Sequence, residues 1–271
     1  MSSKTITELK YSNTNTYLIT GKKGSLLFDT GWAGTFPLLC RALGEKKLKL
    51  QDIDCLLISH FHPDHMGIAQ QIADSGVTIA VADVQQGFLH SSDHVFEKEN
   101  NTQFIPIDDS RVRVITIEQS RLFLNELGID GELIHTPGHS DDSISLWLKS
   151  ERALFVGDLN PLYELEMHKG TQIEKSWNTL LALEPKIVYY GHAKPAQPGR
   201  RAAQRYGLSG KDTYALVKRI TKMVDKGYTA EDIEQKTGAD RVFIQDVARM
   251  YLTHQNVSVQ GILDRIEIKG R

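Results

Sequence analysis

The chain has little cysteine, almost no net charge and no long apolar run. Only two cysteines, Cys40 and Cys55, occur in 271 residues, which excludes the disulfide framework that staples small secreted domains. Cys55 lies in the apolar run Cys55-Leu56-Leu57-Ile58 and reads as an inert core residue. A formal net charge of −2 excludes general attraction to nucleic acid or to an anionic membrane surface. No stretch approaches the ~18 consecutive apolar residues of a membrane span. The opening Met1-Ser2-Ser3-Lys4-Thr5-Ile6-Thr7-Glu8 carries no apolar signal region. These absences predict a cytoplasmic protein with neither a membrane nor a nucleic-acid partner. Apolar and charged fractions of 40% and 24% are ordinary for a globular protein, so the length suits one large core plus a small appendage.

What is present is concentrated. Ser59-His60-Phe61-His62-Pro63-Asp64-His65 places three imidazoles and a carboxylate within six residues. The apolar Cys55 to Ile58 stops where the histidines begin, so a strand-to-helix corner can aim all four groups at one place. Imidazole nitrogen and carboxylate oxygen suit zinc, iron or manganese. Three later segments repeat the pattern of a short apolar run followed by a ligand-type residue beside glycine. They are Leu133-Ile134 before Thr136-Pro137-Gly138-His139-Ser140, Ala153 to Val156 before Gly157-Asp158, and Ile187 to Tyr190 before Gly191-His192. Short continuous apolar runs read as buried strands, and loops at strand ends carry function. Seven candidate ligands thus fall at the ends of four strands.

In these residues the chain resembles the metallo-β-lactamase superfamily. His60-x-His62-x-Asp64-His65, His139, Asp158 and His192 match its metal signature in order and character, and Asp29 in Leu27-Phe28-Asp29-Thr30-Gly31 matches its upstream aspartate. The likeness covers roughly residues 5 to 200, and Thr136-Pro137-Gly138-His139-Ser140 looks most like the glyoxalase II, lactonase and thioesterase branch. The resemblance implies a four-layer αββα sandwich. It implies one metal on His60, His62 and His139, a second on Asp64, His65 and His192, and Asp158 bridging them. Zinc is the first expectation for the two divalent ions, with iron or manganese as alternatives. It also implies a catalytic hydroxide shared by two ions ~3.5–4 Å apart, with Asp64 and Asp158 as catalytic carboxylates. Asp29 would orient a ligand histidine.

Along the chain, strands are expected at Thr16–Ile19, Ser25–Phe28, Val77–Val81, Glu132–His135, Ile144–Leu148, Ala153–Val156 and Lys186–Tyr190. Helices are expected over Phe36–Leu43, Met66–Ala73, Val84–His90 and Trp177–Leu183. A second half begins near Arg111 with the alternating Val112–Ile115. Residues 1–204 read as the catalytic domain and 205–271 as a helical extension, a cap or a dimerising element. In that tail Leu216, Ile220, Met223 and Val224 share one face. Thr229 starts a helix ending at Gly238, Asp240 caps a third, and a last short helix falls within Val257–Ile268. The tail holds twelve Lys or Arg and nine Asp or Glu, a weak footprint for DNA despite its helix-turn-helix rhythm.

The expected activity is hydrolysis of a small-molecule ester, thioester or lactone. Tyr163 and His168, which follow the Asp158 loop, are candidates for the substrate pocket. Two alternatives use the same or fewer ligands: a mononuclear iron dioxygenase acting on persulfides, and a β-lactamase. A catalytically silent binding protein is a third, and the filled ligand set argues against it.

Overall fold

Period-two alternation along the strands builds two sheets stacked face to face. The structure, a computed structural model, describes residues 5–162, 165, 168–198, 210–239 and 241–253. The first sheet has six strands in sequential order: β1 (Ile6–Leu9), β2 (Thr16–Thr20), β3 (Ser25–Phe28), β4 (Cys55–Leu57), β5 (Thr78–Ala82) and β6 (Val112–Ile115). The β1–β3 meander is antiparallel, and β3 to β6 are parallel. The second sheet has the order β10-β9-β8-β7, formed by β7 (Gly131–His135), β8 (Ile144–Leu148), β9 (Ala153–Phe155) and β10 (Ile187–Tyr189).

Side-chain alternation decides which layer each residue joins. Tyr17, Ile19, Leu26, Phe28, Cys55 and Leu57 of the first sheet meet Leu133, Leu146, Leu148 and Phe155 of the second in the central core. The intervening Leu18, Leu27 and Leu56 point the other way, onto α1 (Phe36–Glu45) and α3 (Ala69–Asp74). In the second sheet Trp147, Leu154 and Val188 face outward and pack on Trp177 and Leu180 of α6 (Gln172–Leu181). The result is the four-layer αββα sandwich. The Cys55 thiol lies in the central core, where burial pushes its pKa up to about 12; it is inert.

Several elements depart from the sequence reading. Val112–Ile115 does not open the second half. It pairs in parallel with β5 and completes the first sheet, where Arg113 and Val114 remain exposed on an edge strand. The helix expected over Met66–Ala73 is two pieces, α2 (Pro63–Met66) and α3, and α2 begins inside the ligand motif. Val84–His90 is a 3₁₀ turn over Asp83–Phe88, followed by the short α4 (Asp93–Lys98). Strand β1 and helix α5 (Ser120–Glu126) had no expectation. Phe123 and Leu124 of α5 complete the central core.

The tail forms α7 (Gly210–Asp225), α8 (Ala230–Thr237) and α9 (Arg241–Thr253). Ile220, Met223, Ile233, Ile244 and Val247 pack together in a core of their own. Thr229 and Asp232 form a reciprocal capping box at the start of α8, and Gly238 ends it at φ 68°, a left-handed conformation that costs glycine least. The 204/205 boundary, Asp240 and the helix expected within 257–268 lie outside the described residues. Among the described residues no helix is long and apolar enough to cross a membrane.

Candidate metal centre

The ligand residues hang from the strand ends of both sheets, and the local chain explains their aim. Past β4, Ile58 and Ser59 carry the backbone to His60. His62 is the extended residue capping α2, and Pro63 occupies its first turn. Proline there has its φ already set and has no N–H to leave unpaired. Asp64 and His65 then follow on a single helical turn. His139 comes from the β7–β8 loop, Asp158 from the end of β9, and His192 from the end of β10.

Two glycines make this convergence sterically feasible. Gly157 takes φ 53°, and a β-carbon there would strike the Ser59 hydroxyl. A β-carbon on Gly191 would strike Asp158 Oδ1 and His65 Cε1. Any larger residue at 191 would fill the space between the carboxylate and the ring.

Three ligand groups result, each with its candidate atoms within 4.8 Å of one another: His60, His62 and His139; Asp64, His65 and His192; and His60, His65 and Asp158. In the first, His62 Nδ1 lies 2.9 Å from His60 Nε2 and 3.1 Å from His139 Nε2. In the second, His192 Nε2 lies 2.9 Å from Asp64 Oδ2 and 3.3 Å from His65 Nε2. Asp158 stands between them. Its Oδ1 is 3.3 Å from His65 Nε2, and its Oδ2 is 3.3 Å from His192 Nε2 and 3.7 Å from His139 Nε2. All seven residues named from the sequence therefore converge. His60 and His65 form a buried floor. His139 and His192 form an open rim, with 28% and 37% of their side chains exposed.

The donor set fits a divalent cation. With metal–nitrogen bonds of ~2.0–2.1 Å, two ligands of a tetrahedral ion lie about 3.3 Å apart, close to the ring separations in the first group. Ring nitrogens that face one another so closely are poorly used without a shared cation. Three of the rings also have the far nitrogen occupied, the usual arrangement of ligating histidine. His65 Nδ1 donates to Asp29 Oδ2 at 3.0 Å, His192 Nδ1 donates to the Asn13 carbonyl at 3.0 Å, and His60 Nδ1 lies 3.0 Å from Ser59 Oγ.

The charge balance leads the same way. Burial opposes protonation of His65, but Asp29 and then Asp158 outweigh it and push its pKa up to about 10. Hydrogen bonds to Asp158 and Asp64 push His192 up to about 11. Burial opposes ionisation of Asp158, yet His192 and His65 hold its carboxyl far below the usual carboxylate range. Asp64 is lowered against burial, chiefly by His192. Burial, then His65, drives His60 well down, and burial lowers His139. Ionised carboxylates beside two protonated rings are a cation site with protons in the cation's place. Metal binding would expel them.

Asp29 is buried with φ 63°, an uncommon backbone conformation for a non-glycine residue, of the kind that clusters at functional sites. Its Oδ1 accepts the Ser59 N–H at 2.6 Å while Oδ2 holds His65. Sequence reasoning missed the loop Asn13-Thr14-Asn15. Thr14 Oγ1 donates to the Asp64 carbonyl at 2.7 Å. Asn15 Nδ2 donates to the carbonyls of Tyr190 and Ala193 on either side of the His192 turn. No local signal marks these residues, because their partners lie far along the chain.

His168 stands outside the three ligand groups, and its carbonyl accepts the Thr171 hydroxyl at the start of α6. Tyr163 lies outside the described residues. His90 is exposed and bridges Asp93 and Asp109, 2.8 Å from each. These bonds, Asp109 first, raise its pKa. The bridge therefore stabilises the fold in full below the ordinary histidine value of about 6.5 and fades as pH rises through the raised value. Urea denaturation of His90→Ala should show a loss of a few tenths of a kcal/mol at about pH 5.5 and less at about pH 9, as suits an exposed pair. Equal losses at both pH values would refute it.

Comparison with known proteins adds to this geometry. The family model described as "Metallo-beta-lactamase superfamily" matches residues 10–192. A β-lactamase-like protein 2 homolog of Caenorhabditis elegans is 32% identical over 149 residues, 54% of this chain and 43% of its own length. An atrochrysone carboxyl ACP thioesterase of Aspergillus fumigatus is 28% identical over 150 residues, 54% of this chain and 29% of its own. The chain thus spans less than two thirds of the length of these curated relatives. A solved metallo-β-lactamase family protein of Thermus thermophilus matches with a TM-score of 0.56 at 19% identity, covering 98% of this chain and 94% of its own. That likeness speaks for the fold alone.

Proposed function

The chain belongs to the metallo-β-lactamase superfamily, and on that premise we propose that it is a metal-dependent hydrolase with two divalent ions that cleaves an ester, thioester or lactone. The observation that carries this reading is the placement of Asp158. One carboxylate faces ring nitrogens of both ligand groups, the position of a bridging ligand. His60, His62 and His139 would hold one ion, and Asp64, His65 and His192 the other. When bound, such ions supply Lewis acidity that acidifies water near neutral pH and polarises an acyl carbonyl.

The residues supply the rest. Asp64 Oδ2 lies at the partly open rim beside His192 and Thr14 Oγ1, where it can take the proton of an attacking water. The buried floor of His60 and His65 closes the site from below, so an acyl group approaches over His139 and His192. The open rim admits a small-molecule acyl substrate, and the fungal thioesterase relative supports a thioester among the candidates. Zinc is the first choice of metal. Nucleic acid and membrane are not proposed as partners, the cytoplasm is the proposed compartment, and the tail helices suit a homodimer contact.

Elemental analysis and chelation test the reading. About two ions per chain are expected, with turnover of acyl thioesters or lactones that disappears on chelation and returns with zinc or manganese. A single iron with oxygen consumption on glutathione persulfide would replace it by the dioxygenase. Faster cleavage of nitrocefin than of any acyl substrate would replace it by a β-lactamase.

A further inference from the structure

We propose that Asp142 and Gln85 are positioning residues that set the geometry and metal affinity of the His60, His62 and His139 group, and of that group alone. The inference rests on the two-ion reading above and extends it to residues not otherwise assigned a role.

The ligands of this group come from different sheets, His60 and His62 from the end of β4 and His139 from the β7–β8 loop. Something must hold the two loops in register. Asp142 does so with one carboxylate. Its Oδ2 accepts the N–H of Phe61 at 2.7 Å, and Phe61 is the residue between His60 and His62. Its Oδ1 accepts the hydroxyl of Ser140, the residue after His139. Gln85, from the turn after β5, completes the brace. Its Nε2 lies 3.0, 3.2 and 3.1 Å from the carbonyls of Ile58, Ser59 and Asp142, and its Oε1 accepts the Ala82 N–H at 3.2 Å. The Ile144 N–H donates to the Ser59 carbonyl at 2.8 Å and ties the same two loops again.

Both side chains are buried, Gln85 at 0% and Asp142 at 2% exposure. Polar groups there are costly unless satisfied, and a satisfied buried network makes a rigid, unique arrangement. Asp142 forms no ion pair among the described residues, so none of their cationic side chains accounts for a carboxylate at this position. A divalent cation held by the neighbouring triad would supply the positive partner. The second group is braced by different residues, Asp29, Thr14 and Asn13. The two braces meet at Ser59, whose Oγ lies 3.0 Å from His60 Nδ1 and 3.5 Å from His65 Nδ1, but the hydrogen bonds of Asp142 and Gln85 reach no residue of the second group.

This separation makes the role testable by metal affinity at each group rather than by activity. Metal-free protein is titrated stepwise with zinc while the histidine ring ¹⁵N signals are followed. His62 and His139 report the first group and His192 the second, each assigned from single-histidine variants. Asp142→Asn keeps the shape and removes the charge. Gln85→Met keeps the length and removes the polar contacts. Each should weaken the first group by about 10–100-fold, the usual effect of removing such an outer partner, and leave the second within about threefold. Equal losses at both groups, or no loss at the first, would overturn the proposal. If Gln85→Met does not fold, Asp142→Asn decides alone. A wild-type protein that binds two zinc ions yet cleaves no acyl substrate sinks the hydrolase reading and leaves this one standing.

Discussion

Replacing Asp158 with alanine is expected to lower kcat on the preferred acyl substrate by at least about a thousandfold, or about 4 kcal/mol of barrier, with the fold intact. The physical ground is its double role. Its two oxygens lie within 3.3–3.7 Å of ring nitrogens belonging to both ligand groups, so its loss leaves each group short of a ligand and the two no longer joined. Folding should survive because His65 keeps Asp29 and His192 keeps Asp64 as carboxylate partners, so no charged ring is left buried and unpaired. The measurement is steady-state turnover paired with elemental analysis and circular dichroism. Metal content should fall from about two ions to about one. Turnover within tenfold of wild type would remove the two-ion centre from the mechanism.

Asp29→Asn is expected to weaken the Asp64, His65 and His192 group by about 10–100-fold in metal affinity. Asparagine tolerates the left-handed backbone found here, so the chain need not move. Its carbonyl oxygen can still accept the Ser59 N–H. The amide nitrogen then faces His65 Nδ1, which is a donor in the wild-type arrangement. Two donors cannot share that contact. The ring must become an acceptor at Nδ1 and carry its proton on Nε2, the nitrogen that faces Asp158 and His192. Asp29→Ala avoids that tautomer but orphans the buried Ser59 N–H, at a cost to stability of about 1–3 kcal/mol. Zinc titration read at His192 checks the first variant, and urea denaturation checks the second. An unchanged affinity in Asp29→Asn would show that the His65 tautomer does not matter.

The sequence and the structure agree best where the information is local. β2, β3 and β8 lie where short apolar runs place them, because alternation along a strand is fixed by its neighbours two residues away. The seven ligand-type residues stand out for the same reason, each at the end of such a run. Agreement fails where a residue's partner is distant or its geometry irregular. α2 begins inside the ligand motif because Pro63 nucleates a turn that apolar periodicity does not reveal. β6 carries an alternating pattern that fits either sheet, and only parallel pairing with β5 decides between them.

By itself, then, the sequence determined the inventory of ligand-type residues, since that follows from side-chain chemistry and short-range spacing, while the four-layer sandwich and the two ligand groups were implied by the family resemblance those residues carry. The tertiary structure alone decided how those ligands are braced. His65 and His192 meet across 127 positions, Asn13 and His192 across 179, and Phe61 and Asp142 across 81. No period in the chain encodes such distances. Stacking two sheets face to face with their strand ends together brings these residues within hydrogen-bonding reach.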